Sequence, residues 1–234
     1  KDHKENFKNK LPWRLINPAK SEIGIIEKKY LEDINGELIK HTNFNQWRNT
    51  DSVIEWFKII PDKSKARFIK FDICEFYPSI SENLLDLALS YAGNIIPITD
   101  ENITIIKEAR KSLLFNGDEI WVKRGENPLF DVTMGSYDGA EVCEIVGLYL
   151  LEKLSTLIDK KKIGLYRDDG LSVIDNANGP KLDRLRKDII RIFKSEGLNI
   201  TIETNLSVTD FLDVTLDLSM NKFYPYRKPN DKPI

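Results

Sequence analysis

Apolar residues recur along the chain with two periods, and the switches between them outline its elements. Residues 21–31 and 45–60 carry apolar positions mostly three or four apart, with Trp47, Val53, Ile54, Phe57 and Ile60 in the second stretch, which predicts two amphipathic helices, the second stopped by Pro61. Before them, Trp13 to Ile16 reads as a strand ended by Asn17-Pro18. Residues 66–73 hold Phe68, Ile69, Phe71 and Ile73 in a dense run of strand length. Ser79 or Ser81 with Glu82 can cap the next helix, whose apolar positions are Leu84, Leu85, Leu87, Leu89 and Tyr91. A further helix is predicted over 100–115. A hairpin is predicted to join 120–122 to 130–132 around Gly125 and Pro128, and a long helix to cover 136–157. Residues 163–166 and 171–174 flank Arg167-Asp168-Asp169-Gly170 as a second hairpin, with Asp-Gly supplying the turn. A helix over 182–193 and strands over 198–202, 211–218 and 223–226 complete the pattern.

This order of elements predicts an α+β fold with helices packed on one face of a mostly antiparallel sheet. The chain has 234 residues, 41% hydrophobic and 31% charged, enough for one sizeable core or two modest ones and unlike a disordered or fibrous sequence. Two cysteines, Cys74 and Cys143, are too few for a disulfide framework and suit a reducing, intracellular compartment. No apolar window reaches the roughly 20 residues of a membrane span, and no signal peptide opens the chain. A start at Lys1 rather than Met and a polar end suggest a piece of a longer protein. With 35 Lys and Arg against 37 Asp and Glu the net charge is -2, which at face value argues against a partner as anionic as nucleic acid.

Two places put carboxylates where a fold gains little from them. Asp72 ends an apolar strand, where an unpaired charge is costly, and Asp168-Asp169 sit at a hairpin tip. Taken singly, the hairpin acids read as an ordinary solvated turn and Asp72 as a strand-end cap or a paired surface acid. Together they suggest a three-carboxylate cluster for two Mg²⁺ ions, since oxygen-only ligands suit hard divalent cations.

The residues around these acids carry a resemblance. Phe71-Asp72-Ile73-Cys74-Glu75-Phe76-Tyr77-Pro78-Ser79-Ile80 resembles motif A of reverse transcriptases, and Leu165-Tyr166-Arg167-Asp168-Asp169-Gly170 resembles their motif C. Between them Thr133-Met134-Gly135-Ser136 is similar to motif B, with the Met-Gly of Penelope-like retroelements in place of the commoner Gln-Gly. Pro12-Trp13-Arg14-Leu15-Ile16-Asn17-Pro18 resembles the fingers motif, and Phe211-Leu212-Asp213-Val214-Thr215 with Tyr226-Arg227-Lys228-Pro229-Asn230-Asp231 resembles the segment that follows the palm. The matches keep the family's order and span nearly the whole chain.

The resemblance implies a right-hand polymerase without its thumb: fingers over 1–61, palm over 62–218 with finger elements around 100–132, and the start of a connection to the thumb over 219–234. A thumb, and in many family members an endonuclease, would lie beyond it. It implies Asp72 and Asp168 as metal ligands with the backbone carbonyl of Ile73, and Asp169 as a nearby third carboxylate, holding two Mg²⁺ ions for which Mn²⁺ can substitute. Arg14, Tyr77, Met134 and Gly135 would bind the incoming nucleotide, Tyr77 as a ring that clashes with a ribose 2′-hydroxyl. One of the neighbouring rings Phe76 and Tyr77 is expected in the core. Tyr166, Phe211, Leu212 and Lys228 would meet primer or template. Asp138 and Glu141 stand near the expected template path, where acids are out of place. The implied activity is RNA-directed DNA synthesis from dNTPs on an RNA template with a DNA or RNA primer. An RNA-templated RNA polymerase and an inactive, domesticated nucleic-acid-binding module are the alternatives. On this reading the near-neutral total conceals acids at the metal site and Lys and Arg along a nucleic-acid channel.

Overall fold

The computed structural model describes residues 21–122 and 127–226. Arg14 and its surrounding motif, Arg227 and Lys228 lie outside the described residues. Helix α1 (Glu22–Thr42) is capped by Ser21, whose hydroxyl accepts from the Gly24 amide at 3.1 Å. It runs eleven residues past the expected end, because Leu31, Ile34 and Leu38 continue its buried stripe until Asn43 closes it in the left-handed region, φ 54°. The expected single helix over 45–60 is a short strand, β1 (Asn45–Gln46), followed by α2 (Thr50–Ile59), which starts at a reciprocal Asn49–Ser52 capping box.

Strand β2 (Arg67–Ile73) falls where the apolar run predicts. A single turn, α3 (Phe76–Ser79), leads to α4 (Glu82–Gly93), and of the two candidate caps it is Ser81 that accepts from the Leu84 amide, at 3.1 Å. Helix α5 (Asp100–Glu108) stops well short of residue 115. The next hairpin pairs β3 (Leu114–Asn116) with β4 (Glu119–Trp121) about Gly117-Asp118, while Phe130 bridges to Lys111 instead of joining 120–122. Gly117, φ 62°, at the first central position of this two-residue turn decides the pairing.

Helix α6 (Gly139–Ser155) leads through a 3-10 turn to β5 (Ile163–Tyr166) and β6 (Asp169–Ile174). Helix α7 (Gly179–Ser195) is capped by Asn178. Strand β7 (Ile200–Leu206) is followed by β8 (Val208–Phe211), β9 (Val214–Asp217) and β10 (Lys222–Pro225). The expected strand over 211–218 is thus broken by a turn at Leu212-Asp213, with Leu212 at φ 52°.

The main sheet has the order β1-β5-β6-β2-β7, antiparallel except for the β1–β5 pair. Alternation along β2 sends Ile69, Phe71 and Ile73 to one face, under a core built with α1, α4, α6 and α7. Phe68 goes to the other face with Leu171 and Val173, where α2 and the β8–β9–β10 sheet form a second core around Trp47, Trp56, Phe57, Phe211 and Leu216. The fold is α+β with a mostly antiparallel sheet, and α2 lies on the face opposite the other large helices. The described part of 1–61 shares both cores with the palm region. Among the described residues no helix is long and apolar enough to cross a membrane.

Gly170 does not make the turn that its Asp-Gly context suggests. Tyr166 pairs with Asp169, so the two turn residues are Arg167 and Asp168, and Gly170 lies within β6 opposite Phe71. A Cβ at 170 would overlap the Phe71 ring. Gly170→Ala is therefore expected to destabilise the fold by about 1–3 kcal/mol, the usual cost of overpacking, read as a lower urea midpoint with an unchanged slope.

Candidate active site

Strand register assembles the site. Asp72 stands directly opposite Asp169 on β6 and Thr201 on β7, and Asp169 stands opposite Tyr166 on β5, giving a row of four side chains across four strands on one face. Directly opposed Cβ atoms lie roughly 4.5–5.5 Å apart, and like charges at that separation destabilise a sheet. Two directly opposed aspartates thus carry a local electrostatic cost. The third acid, Asp168, is in the turn, and its carbonyl accepts from the Ile73 amide at 2.9 Å, which clips the end of β2 to the hairpin. Arg167 before it adopts the left-handed region, φ 53°, a conformation uncommon for a residue with a side chain. Its guanidinium lies over the Tyr166 ring, 5.5 Å from the centroid.

Among the described residues no three His, Cys, Asp or Glu side chains are gathered closely enough to form a metal cage. What register supplies is an opposed pair, Asp72 and Asp169, with Asp168 on the adjoining turn. The donor set is oxygen only, which fits hard divalent cations rather than zinc or copper.

The aromatic that follows Asp72 meets the same turn. Glu75, φ 49°, turns the chain into α3, which buries Phe76 and leaves Tyr77 half-buried, so the expected division between the two rings holds. Burial pushes the Tyr77 phenol up to about 12; Cys143 and the Asp168 carboxylate act in the same direction, and Arg167 opposes them. The Tyr77 ring therefore stands within electrostatic reach of the motif C turn. Motif B closes the other side. Gly135 has φ 86°, and the Ser136 amide returns to the Thr133 carbonyl at 3.1 Å, so glycine is required by the turn itself. Met134 is half-buried and Gly135 exposed at the tip of this loop.

The primer and template candidates separate. Tyr166 is half-buried and lines a polar cavity of about 370 Å³ with Gln46, Arg48, Glu144 and Arg167. Leu212 forms the β8–β9 turn. Phe211 is 1% exposed and packs edge-on against Trp47 at 5.4 Å, so its ring belongs to the core and is not presented to a ligand.

The two acids expected near the template have structural partners instead. Asp138, just before α6, is buried and ion-paired with Arg110, which also donates to Glu27 at 2.7 Å. Glu141 pairs with Lys28 at 3.1 Å. Both tie motif B to α1. With two carboxylates on one guanidinium inside the protein, burial and a hydrogen bond to Asp138 raise Glu27 from an ordinary 4.5 to about 10, so it is the protonated member of the group. Neither Glu27 nor Arg110 is singled out by sequence. A signal for the first was present, since Glu27 falls on the Leu31–Leu38 stripe of α1, an acid on an apolar face.

No protein-family model and no curated protein sequence matches the chain. Solved structures do match. The chain is similar to apo telomerase of Candida tropicalis truncated from its C-terminal domain, at 14% identity and a TM-score of 0.63 over 86% of this chain and 45% of that one. It is similar to telomerase of Candida albicans in complex with a fragment of telomeric RNA, at 13% identity and a TM-score of 0.59 over 87% and 38%. The RNA-dependent RNA polymerase of a human picobirnavirus matches at 12% identity and a TM-score of 0.54 over 74% and 34%. The chain spans less than half the length of each of these structures. The fold is the one shared by polymerase palms and fingers.

Because Glu27 holds its proton up to about pH 10 in the folded state and only to about 4.5 when unfolded, the native state binds more protons between these values and stability falls as pH rises through that window. Glu27→Gln keeps one acceptor for Arg110 and one donor for Asp138. It is expected to match the parent near pH 4 and to exceed it increasingly toward pH 9, as read by denaturant midpoints across pH.

Proposed function

We propose that the chain is the palm and fingers of an RNA-directed DNA polymerase of a retroelement, most like the Penelope-like group. The observation that carries this reading is convergence. Asp72 of motif A stands opposite Asp169 of motif C, and the Tyr77 ring of motif A lies beside the start of α6 just after motif B. Segments spread over almost 100 residues of sequence are thus brought to one region of the fold. Similarity to telomerase and to a viral RNA polymerase supports the fold in which that chemistry runs.

In this reading Asp72, the Ile73 carbonyl and Asp168 hold two Mg²⁺ ions with Asp169 beside them. Such ions, with Mn²⁺ able to substitute, would lower the pKa of a primer 3′-hydroxyl and neutralise a leaving pyrophosphate. The chain's own residues do the positioning. The Gly135 turn lets backbone approach the nucleotide, Met134 lies against it, and Tyr77 excludes a 2′-hydroxyl. Tyr166 and the Leu212 turn flank the primer, while Arg14 and Lys228 remain candidates for the triphosphate and the primer backbone. The partners are an RNA template, a DNA or RNA primer and dNTPs, and the telomerase structure with bound RNA is in keeping with that template. Free Cys74 and Cys143 accord with a reducing, intracellular site of action. RNA-templated RNA synthesis is the second reading, favoured by the likeness to the viral RNA polymerase.

Extension of a labelled primer on an RNA template, with dNTPs or with NTPs and Mg²⁺ or Mn²⁺, tests the proposal. Incorporation of dNTPs is expected, with Asp72→Asn and Asp168→Asn each lowering the rate by roughly 10³-fold, the equivalent of several kcal/mol of lost charge stabilisation. Preference for NTPs would favour the second reading. RNA binding without extension, unchanged in both variants, would mark an inactive binding module.

A further inference from the structure

Helix α7 is buried along one stripe, Leu182, Ile189 and Phe193, and basic along the opposite one. Arg184, Lys187, Arg191 and Lys194 follow at spacings of three, four and three, all exposed, so they form a single track about 15 Å long. The helix holds six Lys and Arg against two Asp, a net +4 in a chain whose total is -2. Asp183 pairs with Lys187 at 2.7 Å and Asp188 with Arg191 at 2.9 Å, while among the described residues Arg184 and Lys194 have no carboxylate partner. At its N-terminal end the track meets a cavity of about 460 Å³ between α7, the 3-10 turn Lys160–Lys162 and the end of β6. Buried Ile158, Val173 and Ile174 and half-buried Leu157 and Leu185 make its lining aliphatic, and Lys162, Lys181 and Arg184 stand around it. Lys162 is ion-paired with Asp175 and Lys181 donates to the Asp175 carbonyl at 2.8 Å, which holds both ammonium groups at the cavity. Asp175 Oδ1 is buried there with no hydrogen-bond partner.

We propose that this surface is a second RNA contact, in which one unstacked base of a single strand enters the aliphatic cavity and the flanking phosphates lie on Lys162, Lys181 and the α7 track. The chemistry matches part by part. A nucleobase has apolar faces and a polar edge, so an aliphatic slot takes the faces and the unpartnered Asp175 oxygen accepts from an N–H on the edge. The cations outside the slot meet phosphate oxygens, Arg184 with a planar fork suited to them. A bilayer is a poor match, because the apolar stripe of α7 is buried in the core. The site is also remote from the catalytic row. Asp169 and Ile174 are the two ends of β6, about 17 Å apart, and α7 packs on the sheet face of Phe71 and Ile73, opposite to that of Asp72. The contact therefore lies beyond the chemistry of nucleotidyl transfer, and only the identity of the strand, the proposed RNA template, rests on that reading.

The test titrates the chain with a short fluorescent single-stranded RNA across a salt series, with thermal melts to establish folding. Combining Arg184→Ala with Arg191→Ala is expected to weaken binding about tenfold. It should also lower the slope of log affinity against log salt by about 1.4, the loss of two single-strand phosphate contacts. A second measurement needs no variant: the same RNA carrying 4-thiouridine, irradiated on the parent chain and digested, should cross-link within residues 157–162 or 173–185. An affinity and slope unchanged in the folded double variant, or cross-links confined to other segments, would overturn the site. A DNA strand of the same sequence bound more tightly than the RNA, with the same dependence on Arg184 and Arg191, would retain the site and overturn RNA as its strand.

Discussion

Six consecutive cross-strand pairs between β2 and β6, from Arg67 opposite Ile174 to Asp72 opposite Asp169, are the constraint on which the rest of the molecule depends. A slip of one residue would turn Asp72 into the helix-side core and push Ile69, Phe71 and Ile73 toward the other face. Both faces of this sheet are covered by apolar groups, so either core alone would resist the slip, and together they hold the aspartates opposed at the cost of their mutual repulsion. The hydrophobic interior therefore does more than stabilise. It also sets the alignment of the two aspartates across the strands.

Helix α6 is the second organiser. Its first residue, Gly139, lies beside the Tyr77 ring, its body packs under the sheet, and its N-terminal end is tied to α1 through Arg110, Glu27 and Asp138. A buried ionic group is weak evidence for stability, because desolvation offsets the Coulomb gain, but removing one member leaves a bare charge inside the protein. What the group does supply is direction: a guanidinium held by carboxylates from α1 and from the start of α6 leaves the Thr133–Ser136 loop few alternative positions. The net charge of -2 that seemed to weigh against a nucleic-acid partner is read differently once Asp138 and Glu141 are matched inside the fold.

Much of this was legible from residue pattern alone. The strand at 66–73, the cap of α4 and the hairpin that joins β5 to β6 follow from local rules of periodicity and turn chemistry, whereas Gly135 is singled out only by the resemblance to motif B. Failures occur at a local turn and, more often, where a distant partner decides. Residues 114–116 read as the end of a helix until Gly117 folds them onto 119–121. The Asp-Gly at 169–170 reads as a turn because nothing local shows that the Phe71 ring occupies the space above position 170. Phe211 reads as a primer contact by its motif, yet Trp47, 164 residues earlier in the chain, draws it into the second core. Asp138 and Glu141 look misplaced beside a template until Arg110 and Lys28 are brought to them by the packing of α1.

Two glycines on neighbouring strands face opposite sides of the sheet, each beneath an aromatic ring. Gly170 lies under Phe71, and Gly164 lies under Trp47, where a Cβ would come within 2.5 Å of the indole. The rings fill the volume that the glycines leave, so neither partner can vary alone. Among relatives of this chain, positions 71 and 170, and separately 47 and 164, are expected to covary as two independent pairs, a signature that would identify this sheet in sequences too diverged for their motifs to be recognised.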